Sequence, residues 1–173
     1  MKIGKNTVLS KQIRIRYPDS FELGDGSVID DFCYFSTRVK ICEGSHVANG
    51  CSIGGGIARY FELGRFSSLS SGVKIWCGSD DFVNDLVALV PPGCGEFKNA
   101  FICGDVVLSN YTAVGSNSVI LPNNLIPEGT VIGALSLVPP AFKFESWTVY
   151  AGNPLRMLGR RNQTQVLKQA EKL

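Results

Sequence analysis

One imidazole stands alone in this chain of 173 residues, His46. Histidine is the side chain whose ordinary pKa lies closest to neutral pH, so a proton-abstracting step near pH 7 points to it first. The bland alternative for a single histidine is a surface residue with no chemical duty. Two adjacent carboxylates, Asp80 and Asp81, sit in the polar, turn-rich stretch Cys77-Gly-Ser-Asp-Asp-Phe. Six cysteines are present, yet none forms a Cys-x-x-Cys pair, so no metal site is expected. A three-histidine zinc centre is excluded by the single histidine.

What positions these groups is a sixfold period. Leu23, Ile29, Phe35, Ile41, Val47 and Ile53 are six apart, and the count resumes at Leu63, Leu69 and Ile75. It returns from Ile102 through Leu108, Val114, Ile120, Ile126 and Ile132 to Val138. The fifth place of each block is small: Ser27, Cys33, Val39, Ser45 and Cys51 early, then Val106, Thr112, Ser118, Asn124, Thr130 and Ser136. Neither a helix nor a two-faced strand repeats every six residues. A hexapeptide period winds short parallel strands into a β-helix, with one flat side per block and three sides per coil. Aliphatic residues stack inside the prism at about 4.8 Å, the spacing of neighbouring strands. The fifth residue points inward near a corner, where only a small side chain fits. His46 takes the sixth place of the block opened by Ile41. That register puts it at a corner and directs it out of the prism, away from the core.

The period breaks in two places. From Ile53 to Leu63 the step is ten residues, so extra chain is inserted around Ile57–Tyr60, after Gly54-Gly55-Gly56. Residues 77–100 abandon the ladder, and Val90-Pro-Pro-Gly-Cys-Gly is unfit for a central strand. A long loop extruded from a rigid stack usually carries function. The expected division is a cap over residues 1–22, a β-helix over 23–140 with the loop 77–100, and a C-terminal segment over 141–173. In the cap, Ile13, Ile15 and Tyr17 read as a strand and Pro18-Asp19-Ser20 as a turn. Pro139-Pro140 ends the ladder, Phe142, Phe144 and Trp147 cover its open end, and Asn162–Leu173 forms a short helix.

Composition narrows the partners. Seventeen Lys and Arg against fifteen Asp and Glu give a formal net charge of +2, which implies no nucleic-acid affinity. No apolar run approaches the length of a membrane span. Met1-Lys-Ile-Gly-Lys lacks the apolar core of a signal peptide. Cys33 and Cys51 fall on fifth places, which makes them reduced core fillers and the expected compartment cytoplasmic.

With this pattern the chain resembles the hexapeptide-repeat acyltransferases, over about residues 23–160. The tail Val149-Tyr-Ala-Gly-Asn-Pro-Leu-Arg looks like the AGNPAR ending of the sugar and xenobiotic acetyltransferase branch. His46-Val-Ala together with Ser79-Asp-Asp-Phe looks like a subgroup of sugar acetyltransferases from bacterial surface-polysaccharide pathways. The resemblance implies an all-β fold, a left-handed parallel β-helix, although parallel crossovers are right-handed in most proteins. It further implies a homotrimer that binds acetyl-CoA in the groove between two subunits. The implied reaction is N-acetylation of a nucleotide-linked amino sugar on the way to an O-antigen-type glycan. O-acetylation of a sugar hydroxyl and a non-catalytic β-helix scaffold are the alternatives.

Site residues follow from the same resemblance. The galactoside and maltose acetyltransferases carry their histidine after the rung equivalent to Ile75, where this chain has Asp80. Either His46 is the base, or Asp80 or Asp81 is, or an amine acceptor needs little beyond positioning. The preferred reading is direct transfer with His46 as general base and Asp80 or Asp81 orienting it or binding the acceptor. By count, His46 and the 77–81 stretch follow different faces, so the site is expected to be shared between subunits. Ser116 and Ala134 match positions on the pantetheine arm, where the Gly115-Ser116 and Gly133-Ala134 steps let the arm approach the backbone. Corners demand small residues with or without a ligand. Lys143 is the nearest substitute for the family's lysine after the last rung. Arg156 and Arg160 match basic tail positions for the 3′-phosphate, with solvated tail charges as the alternative.

Overall fold

Three flat sides and three corners organise the protein. The computed structural model describes residues 1–83 and 101–172. They form a left-handed parallel β-helix of about seven coils with one short helix. The first side stacks Ile3, Leu23, Ile41, Leu63, Leu108 and Ile126 in register. The second stacks Leu9, Ile29, Val47, Leu69, Val114, Ile132 and Tyr150. Ile15, Phe35, Ile53, Ile75, Ile120 and Val138 build the third. Away from the two end coils these side chains are almost wholly buried, and each contributes roughly 1.5–3 kcal/mol of transfer free energy.

The fifth places are buried too, and their polar atoms are satisfied. Ser45 Oγ donates to the Gly64 carbonyl at 2.7 Å and Ser118 Oγ to that of Gly133 at 2.9 Å. Asn124 Nδ2 donates to the Leu121 and Pro139 carbonyls. Small side chains are needed here because each must reach the corner carbonyl of the next coil without leaving a buried donor unpaired.

The stack runs further at both ends than the period alone suggests. Residues 1–22 supply strands at Lys2–Ile3, Val8–Leu9 and Arg14–Ile15 that pair in parallel with the next coil. Pro18–Ser20 is a single 3-10 turn. At the other end, parallel pairing continues past Pro139-Pro140 to Tyr150 opposite Ile132. The strand Arg156–Arg160 then folds back antiparallel on Thr148–Ala151 and closes the second side. Phe142 and Phe144 cover the open end with Tyr150, their ring centres 4.8–5.7 Å apart.

Two local expectations are corrected. Ile102 does not belong to the ladder: it is 39% exposed and pairs with Ser79 in a two-stranded stem outside the prism. The ladder restarts at Val106–Leu108. Trp147 does not cover the open end either. It stands at the corner between the first and second sides, stacked on Tyr111, which stacks on Phe66. All three adopt positive φ, near 50–60°, a cost of about 1–2 kcal/mol per residue that the ring stacking offsets in part. Gly129 is required beneath this stack, because a Cβ there would lie 2.3 Å from the indole of Trp147. The predicted C-terminal helix is present as Gln163–Ala170, capped by Asn162 Oδ1, which accepts from the Gln165 amide at 3.0 Å.

Every departure from six residues falls at the corner between the third and first sides. Pro18–Ser20 lies there, as does the insertion before Leu63. In that insertion Thr37 pairs with Gly56 and Arg38 with Tyr60, so Gly55 and residues 57–59 are extruded as a bulge. The longest insertion leaves the prism at Cys77, on a stem in which Gly78–Asp80 pairs antiparallel with Phe101–Cys103. Of the expected loop 77–100, the part from 84 to 100, including Val90-Pro-Pro-Gly-Cys-Gly, lies outside the described residues.

Candidate active site

His46 sits on the strand His46–Val47 of the second side, between Val28–Ile29 and Ser68–Leu69. Val47 points inward and is fully buried, so strand alternation turns His46 outward. It therefore stands on the flat of a side and not at a corner as its register suggested. Its Nε2 lies 2.8 Å from Asp30 Oδ2, and the two side chains are 46% and 42% exposed. An ionised carboxylate only accepts, so Nε2 carries the hydrogen and Nδ1 keeps its lone pair. The residue that orients the imidazole is thus Asp30, which the sequence reading missed. A signal was present: Asp30 directly follows the ladder residue Ile29 one coil earlier, which places it diagonally beside His46 on the same outer face.

Asp80 and Asp81 lie elsewhere. They stand on and just beyond the stem that leaves the third corner, opposite the second side; Asp81 Oδ1 accepts from the Val83 amide at 2.9 Å. One copy of the chain does not bring them to His46.

Of the five residues matched to the CoA arm and phosphates, three fall on one line. Ser116 and Ala134 occupy the second corner on successive coils, tied by the Leu135 amide donating to the Ser116 carbonyl at 2.9 Å. Gly115 is obligatory there, since a Cβ would come within 2.3 Å of the Ala134 nitrogen. At Gly133 a Cβ would meet that of Ala151 at 2.8 Å, and Ala151 in turn faces Arg156 across the closing strand pair. Ser116, Ala134 and Arg156 therefore follow one another up a smooth corner that ends in an exposed guanidinium. Arg160 is at the far end of that strand, where it donates to Thr148 Oγ1 at 2.8 Å and pairs with Glu145. Lys143 lies on the first side near Leu125, Asp105 and Asn123, around a cavity of about 340 Å³. Arg160 and Lys143 are therefore not on the line of Ser116 and Ala134.

Among the described residues, no group of three or more His, Cys, Asp or Glu side chains is placed to hold a metal ion. No helix among them is long and apolar enough to cross a membrane. The described cysteines, including buried Cys33 and Cys51, are free thiols, and burial pushes the Cys77 thiol up to about 12.

The chain matches no family model. It is 28% identical over 165 residues to a dTDP-4-amino-4,6-dideoxy-D-glucose acyltransferase of Escherichia coli, spanning 92% of this chain and 82% of that one. It superposes on AntD, an N-acyltransferase from Bacillus cereus crystallised with dTDP and 3-hydroxybutyryl-CoA, with a TM-score of 0.88. That pair shares 32% identity over 98% of this chain and 88% of AntD. A maltose O-acetyltransferase from Clostridium difficile 630 shares the fold at 20% identity and a TM-score of 0.60, over 94% of this chain and 70% of that one.

The chain belongs to the hexapeptide-repeat acetyltransferase family, in its sugar and nucleotide-sugar branch, and is an acyltransferase.

Proposed function

We propose that the protein is a cytoplasmic, acetyl-CoA-dependent N-acetyltransferase acting on a nucleotide-linked amino sugar in the assembly of an O-antigen-type surface polysaccharide. The observation that carries this reading is the near full-length likeness to AntD, crystallised in variant form with dTDP-4-amino-4,6-dideoxyglucose and coenzyme A. The second corner fits the thin arm of CoA: Gly115 and Gly133 are places where any side chain would collide with the next coil, so the surface stays smooth. Ser116 and Ala134 line that path and Arg156 meets the phosphates at its end. Arg160 and Lys143 are weaker candidates, one because Glu145 already pairs with it and the other because it faces another side.

Transfer is direct. The amine nitrogen forms a bond to the thioester carbonyl carbon, and the carbon–sulfur bond breaks. The nitrogen's proton passes to His46 Nδ1 and then to the departing thiolate, while Asp30 holds the imidazole in the required tautomer. The protein acts as a homotrimer in which the stem bearing Asp80 and Asp81 reaches a neighbour's second side, where these carboxylates accept hydrogen bonds from the neutral amine of the acceptor and position it. The reading is tested by incubating the purified protein with acetyl-CoA or 3-hydroxybutyryl-CoA and a panel of thymidine- and uridine-linked amino sugars. Thiol release with an amide product is expected. Esters from hydroxyl sugars alone would replace N- by O-transfer, and no thermal stabilisation by millimolar CoA would sink the enzyme reading.

A further inference from the structure

The bulge before Leu63 is not required by the β-helix, since the same two sides meet elsewhere in an unbroken six-residue step, as between Phe35 and Ile41. It is nonetheless a built feature. The buried Thr37 hydroxyl lies 3.0 Å from the Gly56 carbonyl and 2.8 Å from that of Arg59 and donates between them. Gly55 packs against the root of the extruded stem, where a Cβ would come within 2.6 Å of Cys77 Cβ. Cys77 Sγ in turn donates to the Tyr60 carbonyl at 3.4 Å.

Arg59 stands on this bulge and Arg38 faces it from the neighbouring strand, paired with Tyr60. Arg38 Nε donates to the Arg59 carbonyl at 3.3 Å, and the Arg38 fork lies 5.8 Å from the centre of the Tyr60 ring. Neither Arg38 nor Arg59 has an ion pair among the described residues. The nearby acids are engaged: Glu62 takes Lys40 and the Tyr60 hydroxyl, Glu22 takes Lys2, and Asp105 accepts from the Tyr60 amide. Among the described residues, these two positive charges therefore have no carboxylate partner; Arg38 lines a cavity of about 200 Å³ with Ser20, Glu22, Lys40 and Tyr60, and Arg59 stands on the neighbouring bulge.

We propose that Arg38 and Arg59 bind the diphosphate of the nucleotide-linked acceptor. The inference rests on the function proposed above. Two planar donor forks offer paired, charge-assisted hydrogen bonds to phosphate oxygens, which a lysine pair does not. The height is also right. Arg38 lies between the second and third coils and the bulge between the third and fourth, bracketing His46 on the third, whereas Ser116 and Ala134 stand on the fifth and sixth. Side-by-side packing of prisms in a trimer preserves height, so one copy's arginine pair faces the level of a neighbour's imidazole. Acceptor phosphates and CoA phosphates then occupy different coils and do not compete.

The test uses Arg38→Ala, Arg59→Ala, the double variant and the corresponding lysine variants, with the thermal midpoint as the folding control. Each alanine should raise KM for the nucleotide-linked amino sugar about tenfold and the double about a hundredfold. The kcat should stay within about threefold and KM for acetyl-CoA should not move. Calorimetric affinity for thymidine diphosphate should fall in parallel, with partial recovery in the lysine variants. An unchanged acceptor KM in the double variant overturns the assignment, as does a rise confined to acetyl-CoA. Failure of the wild type to acetylate any nucleotide-linked amino sugar defeats the proposed function instead. The assignment is then decided by thymidine diphosphate alone, and falls if wild type and double variant bind it equally or not at all.

Discussion

Replacing His46 and Asp30, singly and together, probes how the proton is handled. The pair is joined at 2.8 Å, but both side chains are nearly half exposed. Opposite unit charges about 4 Å apart are worth about 1 kcal/mol in water and about 4 at an effective dielectric of 20. Half exposure places this pair toward the lower figure, so Asp30→Asn should cost roughly 1 kcal/mol in the transition state, about fivefold in kcat. A positioned general base contributes about a hundredfold to ten-thousandfold. An amine acceptor, partly neutral near pH 7, puts His46→Ala at the low end, about a hundredfold or 2.7 kcal/mol. The double variant should be no slower than His46→Ala, because Asp30 acts only through the imidazole. The assay is steady-state thiol release with both substrates saturating, with CoA binding measured alongside to show the second corner intact. Retention of more than about a third of wild-type kcat by His46→Ala would refute the base assignment. A double variant slower by the product of the two single losses would refute the orienting role of Asp30.

Two further predictions concern the frame. Leu108→Ala, in the fully buried ladder, should lower the unfolding free energy by about 2–5 kcal/mol, while Ile102→Ala, on the exposed stem, should change it by less than about 0.5; urea denaturation of the two separates ladder from stem. Burial pushes the Glu62 carboxyl up, but hydrogen bonds from Tyr60 and Lys40 and the Lys40 charge outweigh it and hold it below the ordinary value of 4.5. A depressed folded pKa gives stability that is present above the unfolded value and lost as pH falls through the folded one. Glu62→Gln should therefore flatten the loss of stability below about pH 4.5, seen as urea midpoints that vary less with pH than those of the wild type.

The ladder was legible because it is a spacing rule that packing enforces coil after coil. Leu23, Val47, Ile75 and Ile132 fall where the count puts them, and the fifth places Ser45 and Ser118 are buried and paired as corners demand. The extra chain before Leu63 was also visible as a step of ten residues. Ile102 misled because hexapeptide spacing cannot reveal when a residue six before a ladder position pairs outside the prism. The first coil, Ile3, Leu9 and Ile15, repeats by six but joins Leu23 through a longer corner at Pro18–Ser20, which hid its phase. Asp30 escaped because it lies one coil away from His46, and a diagonal neighbour across coils has no local signature. Asp80 and Asp81 were placed on another side than His46 by counting alone, and the stem at the third corner lies on that other side.

One edge of the prism carries every change in chain length. Because each lengthening there returns the strand to the same register, a segment of another size can be exchanged at that edge without re-indexing a single core side chain. Such an exchange leaves the opposite flank, bearing the imidazole, unchanged in shape. Transplanting the stem and bulge of one relative into another is the corresponding engineering route, and it requires no redesign of the interior.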